Sequence, residues 1–223
     1  QERDRKSQLQ KARLEADLKA LRSQMNPHFI FNSLNSINRY IIKNDPINAS
    51  DYLSKFARLI RMILDHSNEK TIPLSKEIQF LNYYLELEQV RLNKAFSYEI
   101  ELSEHVNTDE DQIQPMLLQP FLENAIWHGI MNKVEKNGRL FIKFSKENNV
   151  LRVEINDNGI GRAQAARLKP HRNSASVGIQ LTKERLLLLD PNANIQINDL
   201  HDESGNPSGT CVIVQFQIQS YHD

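Results

Sequence analysis

The 223-residue chain balances 28 basic against 28 acidic residues, for a formal net charge of zero and a sequence pI near 7.2. That balance leaves no basic stripe to track a phosphate backbone or an anionic bilayer, which excludes a non-specific polyanion binder. A single cysteine, Cys211, excludes a disulfide framework or a cysteine-built metal site, and no apolar run approaches the roughly 20 residues that span a bilayer.

From the N-terminus, Leu14, Leu18, Leu21 and Met25 fall in a 4-3-4 spacing on one helical face, the seam of a two-helix contact. The run Gln1 to Gln8 is helical by propensity but has little to bury, and reads as the stump of a longer helix whose upstream sequence carries the sensing. Asn48-Ala49-Ser50-Asp51 signals a second helix, with Leu53, Phe56, Ala57, Ile60, Ile63 and Leu64 at helical spacing up to His66. Pro73-Leu74-Ser75 opens a third, running through Ile78, Leu81, Tyr84, Leu85 and Leu87 to about Asn93. Residues 1–93 therefore read as a helical hairpin plus a connector helix. A lone hairpin cannot close a core, so the expected completion is a homodimer forming a four-helix bundle.

The pattern changes over residues 94–223, which read as a second domain. Phe96 to Leu102 alternates like a half-buried strand, and Gln114 to Ile130 is expected to be helical. Leu140–Phe144 and Val150–Ile155 flank Asn148-Asn149, a hairpin signal. A polar stretch from Arg162 to Val177 precedes a helix from about Gly178 to Leu189, and strands are expected at Ile195–Ile197 and Cys211–Ile218. The fold class is α+β, the second half a mixed sheet layered with helices.

Three segments of this half carry chemistry. In Glu123-Asn124-Ala125-Ile126-Trp127-His128-Gly129, Asn124 and His128 are four apart, on one face of an α-helix. The amide oxygen of Asn124 is a hard, neutral donor suited to Mg²⁺. In Asp157-Asn158-Gly159-Ile160-Gly161, a carboxylate at a strand end can accept an adenine amine while Gly159 and Gly161 let backbone approach the base, although the same residues make a good turn. In Ser176 to Leu186, Gly178 stands at an expected helix start, where free N–H groups favour phosphate, with the stretch holding Pro170 and Asn173 as a lid. Gly209-Thr210 closes the pocket or merely ends a loop.

In order and spacing these segments resemble the N, G1 and G2 boxes of the ATP-binding domain shared by histidine kinases, type II topoisomerases and MutL-type repair proteins, the GHKL-type α/β sandwich. Gln24 to Asn35, with Asn26-Pro27-His28-Phe29-Ile30-Phe31-Asn32 at its centre, resembles the phosphoacceptor motif of LytS-like sensor histidine kinases, and Pro115 to Pro120 fits the same pattern. The resemblance implies a protein histidine kinase that uses ATP and Mg²⁺ to autophosphorylate His28 within a dimer and passes the phosphoryl group to an aspartate of a response regulator, of LytTR type. It implies a cytoplasmic domain of a bacterial inner-membrane protein, with membrane contact only through the absent N-terminal region and no nucleic-acid partner. It carries nucleotide contacts onto Asn124, His128, Asp157, Gly159, Gly161, Gly178, Leu181, Thr182, Arg185 and Thr210.

Elementary chemistry supports His28 as acceptor, because a neutral imidazole nitrogen is nucleophilic near pH 7. Extending the seam by three from Met25 lands on His28, so Pro27 is expected to kink the helix and turn the ring to solvent. Phe29 stands where many histidine kinases carry an acid. Asn32, one turn on, can fix a tautomer, and Glu123 is the candidate base across the domain gap. Where related ATPases place a water-activating glutamate, four residues before the metal-binding Asn, this chain has Pro120, which favours a kinase over a hydrolase. Gln180 replaces the usual second glycine of the third box and Thr182 a common Asn. These departures keep a catalytically weak nucleotide-binding signalling scaffold as the alternative.

Overall fold

The computed structural model describes residues 27–67, 69–168 and 174–218. Two helices open it, α1 (Pro27–Ile42) and α2 (Pro46–His66). The second starts earlier than the Asn48 signal because Asp45 accepts the backbone N–H of Asn48 and Pro46 fits the first turn. Phe29, Ser33 and Ser36 form the buried face of α1, where the Tyr52 hydroxyl donates to Ser33 Oγ at 3.3 Å. The Leu14–Met25 seam lies outside the described residues.

A two-residue strand β1 (Ile72–Pro73) leads into α3 (Leu74–Arg91), followed by β2 (Phe96–Leu102) and β3 (Gln112–Ile113). The connector α3 is bonded on both sides. Its Tyr84 ring meets Phe29 of α1 at 5.2 Å between centroids, while the N–H groups of Leu74 and Ser75 donate to the carbonyls of Asp111 and Thr108. β1 pairs antiparallel with β3, and Gln89 donates to the Phe96 carbonyl. One hydrophobic core runs from Phe29 through Tyr84 to the sheet, so the helix grouped with the N-terminal half is also a layer of the second.

The expected helix over 114–130 differs. Residues 114–118 are not helical. The short helix α4 spans Gln119–Asn124, passes into a π turn (Ala125–Gly129) and ends in a 3₁₀ turn (Ile130–Asn132). The cause is distant in sequence: the buried carboxylate of Glu77 accepts the N–H groups of Met116 at 2.8 Å and Leu118 at 3.4 Å, and Met116 takes φ 55° to present its own. The remaining elements are β4 (Gly138–Glu147), β5 (Val150–Asp157), α5 (Arg162–Leu168), α6 (Ser174–Leu189), β6 (Asn194–His201) and β7 (Pro207–Gln217). The sheet order is β2-β4-β5-β7-β6, with β2 and β4 parallel and the other pairs antiparallel. This is the expected α+β architecture, a helical N-terminal part followed by a GHKL-type sandwich. No helix among the described residues is long and apolar enough to cross a membrane.

Candidate functional site

β5 delivers Asp157 to the end of the sheet, where its ladder partner on β7 is Thr210. The side chain is 6% exposed; Oδ1 accepts the N–H of Gly159 at 2.8 Å, and the Thr210 backbone supplies a second bond. Burial pushes the carboxyl up to about 6, against the lowering pull of those two N–H donors, so it is largely ionised at neutral pH. Glycine is required around it. A Cβ on Gly159 would fall 2.3 Å from the carbonyl carbon of Gly129, and one on Gly209, at φ 140°, would fall 1.9 Å from the Asp157 carbonyl oxygen. Gly161, at φ 74°, completes the turn, and the N–H of Ile160 donates to the Gly129 carbonyl. Asn158 holds the neighbouring strand, accepting the Arg139 N–H at 2.6 Å and donating to the Asn137 carbonyl. A carboxylate held there is an acceptor for the exocyclic amine of a planar base.

Asn124 closes α4, and His128 lies in the π turn. There the i→i+5 bonding widens the backbone, so the one-face relation expected of residues four apart in an α-helix does not hold in that form. Both are half-buried. Asn132 donates to the carbonyls of Trp127 and His128, satisfying groups that the wider turn frees. The amide of Asn124 is a donor that Mg²⁺ accepts, and it sits on the same segment that closes over Asp157 through Gly129. Glu123 accepts Gln119 Nε2 at 3.0 Å and is in electrostatic contact with Tyr84 and Glu88 of α3.

The third segment departs most from expectation. Helix α6 begins at Ser174, so Gly178 is already in its second turn and its N–H is not among the free amides of the helix start. Gly178 lies against Pro120: a Cβ there would be 3.9 Å from that ring's Cβ. Thr182 is buried and its hydroxyl donates back to the Gly178 carbonyl at 2.9 Å. Leu181 is 55% exposed, and Arg185 donates to the Pro115 carbonyl at 3.4 Å near Glu77. Of the anticipated lid, Arg162–Leu168 is the helix α5, whose Arg162 forms a two-pronged ion pair with Asp199; Pro170 and Asn173 lie outside the described residues.

The structure thus brings Asp157, Gly159, Gly161 and Thr210 together, with Asn124 and His128 on the adjoining segment, and turns Thr182 and Arg185 toward protein partners. His28 occupies the first described turn of α1, but its side chain, and with it the expected turn of the ring to solvent, lies outside what is described. Asn32, one turn on, is half-buried, and its carbonyl accepts the Ser36 hydroxyl. Phe29 is buried against Phe56 and Tyr84, whereas Phe31 is 66% exposed.

The sequence pattern gives Glu77 no role, and Glu88 and Arg91 read as plain packing on a helix that could meet the regulator or the nucleotide half, with no site assigned. Glu77 and Glu88 are fully buried, and Arg91 forms an ion pair with Glu88 while its guanidinium lies 4.0 Å from the Trp127 ring centroid. Their signal was positional. Residues 74, 77, 81, 84 and 88 share one helical stripe, and a glutamate on an apolar stripe marks a buried partner.

The family described as histidine kinase matches residues 16–96 of this chain. The sensor histidine kinase BtsS of Escherichia coli (strain K12) is 33% identical over 178 residues, covering 79% of this chain and 30% of that protein. The sensor protein LytS of Oceanobacillus iheyensis is 34% identical over 147 residues, covering 66% of this chain and 24% of its own. The chain therefore spans under a third of the length of these relatives. Among solved structures, full-length ShkA in complex with AMPPNP covers 97% of this chain and 47% of its own at a TM-score of 0.50 and 13% identity, a likeness of fold.

Proposed function

This chain belongs to the histidine kinase family, and from that premise we propose that it binds ATP in the Asp157 recess and autophosphorylates His28. The observation that carries the proposal is the buried, largely ionised carboxyl of Asp157 set among Gly129, Gly159 and Gly209, a floor that accepts an adenine amine. Gly161 and Thr210 line the same recess, while Asn124 and His128 approach the phosphates from the π turn. Asn124 would hold magnesium, which when bound would supply charge neutralisation. Gly178, Leu181, Thr182 and Arg185 form the opposite wall, which engages nucleotide once Thr182 and Arg185 exchange their protein bonds for it.

In the transfer, one imidazole nitrogen of His28 bonds to the γ-phosphorus while the bond from that phosphorus to the β–γ bridging oxygen breaks. ADP departs with that electron pair. The proton on the other imidazole nitrogen passes to Glu123, with Asn32 holding the tautomer. The phosphoryl group then moves to an aspartate of a response regulator, of LytTR type. Residues 1–93 carry the acceptor and the dimer contact, and residues 94–223 carry the nucleotide. An exposed apolar stripe on α1, with Phe31 at 66%, Leu34 at 49%, Ile41 at 62% and Ile42 at 76%, supports a homodimer closed as a four-helix bundle. The chain acts as the cytoplasmic domain of a membrane-anchored sensor.

Incubation with γ-labelled ATP tests the reading: the expected product is an alkali-stable, acid-labile label that His28→Ala abolishes and that a response regulator removes. Tight ATP binding without label instead supports a nucleotide-responsive scaffold, a reading favoured by the inward bond of Thr182. Steady phosphate release without retained label would identify a hydrolase.

A further inference from the structure

Where α3 runs into β2, an open cleft of about 450 Å³ lies beside the start of β4, and it shares no lining residue with the Asp157 recess. Two left-handed residues, Asn93 at φ 53° and Lys94 at φ 56°, turn the chain from the helix into the strand, and the Lys94 N–H donates to the Gln89 carbonyl at 2.7 Å. β4 starts pressed against that turn. The Gly138 N–H donates to the Ala95 carbonyl at 3.2 Å, and a Cβ on Gly138 would fall 2.8 Å from that of Phe96. The parallel register of β2 and β4 then sets Arg139 beside Ser97. Lys94, Lys136 and Arg139, one cation from each of three adjoining stretches of chain, all line the same cleft.

Their surroundings do not neutralise them. Further along the same sheet the cations are matched: Lys143 pairs with Glu101, Lys146 with Asp111 and Arg152 with Glu154. Lys94, Lys136 and Arg139 form no ion pair with any described residue. The adjacent acids Glu99 and Glu135 do not line the cleft, and Glu135 accepts the Asn137 amide at 2.9 Å instead. A single exposed lysine needs no explanation. Three unmatched cations around one concavity, in a chain of zero net charge, are a local excess that concentrates anions.

We propose that this cleft binds a small polyvalent anion, one carrying two or more carboxylate or phosphoryl groups, at a site separate from the nucleotide recess. Its volume falls within the roughly 300–1,000 Å³ of small-molecule sites. A monovalent ion would leave two of the three charges uncompensated, whereas the Arg139 fork suits one carboxylate or phosphoryl group and the two lysines a second. The side chains are free for this role. Asn137 and Arg139 hold Asn158, the neighbour of Asp157, through a backbone carbonyl and a backbone N–H, so charge can be removed here without loosening the Asp157 loop.

The test is calorimetry on the full chain without magnesium, with tricarballylate and pyrophosphate as probes. The expected result is saturable binding of at least one probe at one site per chain, with Kd below about 1 mM, weakening as salt is added and persisting in excess AMPPNP. The tighter probe assigns the carboxylate or the phosphoryl class. The double variant Lys94→Gln/Lys136→Gln and the single variant Arg139→Gln should each weaken binding by about tenfold or more, with AMPPNP affinity and thermal midpoint unchanged, while Lys136→Arg keeps it. Absence of saturable binding by both probes overturns the proposal, as does equal binding in the charge-removed variants. Loss of the probe in excess AMPPNP also overturns it and assigns the three cations to the nucleotide recess. A chain that binds a probe but no AMPPNP upholds this site and sinks the nucleotide reading, so the two fail separately.

Discussion

The two sides of the proposed nucleotide site are built to different standards. On the Asp157 side, Leu117, Leu118, Phe121, Leu122 and Ile126 are all 0% exposed, and the loop before α4 is fastened by Glu77 from a helix far away in the chain. On the α5–α6 side, α5 contributes no buried residue. Among the described side chains of α6, Thr182 and Leu186 are buried, whereas Leu181 and Leu188 are 55% and 86% exposed. Free energies of local opening follow buried contacts, so the first wall opens only with the whole domain and the second can shift alone. A nucleotide bound as proposed would meet a rigid side at its base and a movable side at its phosphates.

The sharpest way to break that contrast is to unfasten the rigid wall. Glu77→Ala leaves the Met116 and Leu118 amides buried without an acceptor and strips Arg185 of its acidic neighbour, so urea denaturation should show a loss of about 3 kcal/mol or more, large against typical domain stability. A loss below about 1 kcal/mol would mean the loop is held by its apolar residues alone. Gly209→Ala comes next. Its methyl collides with the Asp157 carbonyl at a backbone angle that L residues avoid, and nucleotide affinity, measured by calorimetry, should weaken more than about 100-fold.

Asp157→Asn sharpens the comparison chemically. An amide presents its NH₂ or a weaker oxygen to the adenine amine, so affinity should drop by roughly 30-fold to 100-fold while the fold stays intact. Intact affinity would show that base recognition lies elsewhere. The carboxyl also gives a pH dependence of definite sign. Burial raises Glu77 and Glu88 to about 7 and Asp157 to about 6, so across the range below those values the native chain holds protons that the unfolded chain has released. Stability should therefore fall as pH rises from about 5 to 7 and level off above, on the order of a few kcal/mol. Nucleotide binding through an ionised Asp157, as proposed, should rise over the same interval. Denaturation and binding measured at pH 5 and pH 8 should move in opposite directions, and parallel movement would remove Asp157 from base recognition.

What could be read from the chain follows the same division. Local chemistry was legible: the Asn148-Asn149 turn takes φ 47° and 62°, as a tight hairpin requires, and Asp157 to Gly161 form the expected loop at a strand end. What needed a distant partner was not. Residues 114–118 have the composition of a helix and are withheld from it by Glu77, and Arg162 starts a helix in a stretch read as lid because Asp199 on another strand holds it. The π turn after Asn124 leaves no trace in a period of 3.6. Glu88 and Arg91 read only as plain packing on a helix that could meet the nucleotide half, because the partner that shows their contact, Trp127, lies more than 30 residues away in the chain.

Thr182 carries the smallest expected effect and bears directly on the movable wall. Its hydroxyl donates to the Gly178 carbonyl inside α6, a bond that any β-branched isostere can forgo at modest cost because that carbonyl belongs to a helical turn. If the wall closes without changing this bond, Thr182→Val should leave stability within about 1 kcal/mol and ATP affinity within about threefold of wild type. If closure instead transfers the hydroxyl to a phosphate, affinity for ATP should fall about tenfold while affinity for adenosine, which has no phosphate to reach it, stays constant. The ratio of the two affinities therefore reports whether α6 rearranges on binding or only leans inward, and equal losses for both ligands would show that Thr182 supports the rigid floor after all.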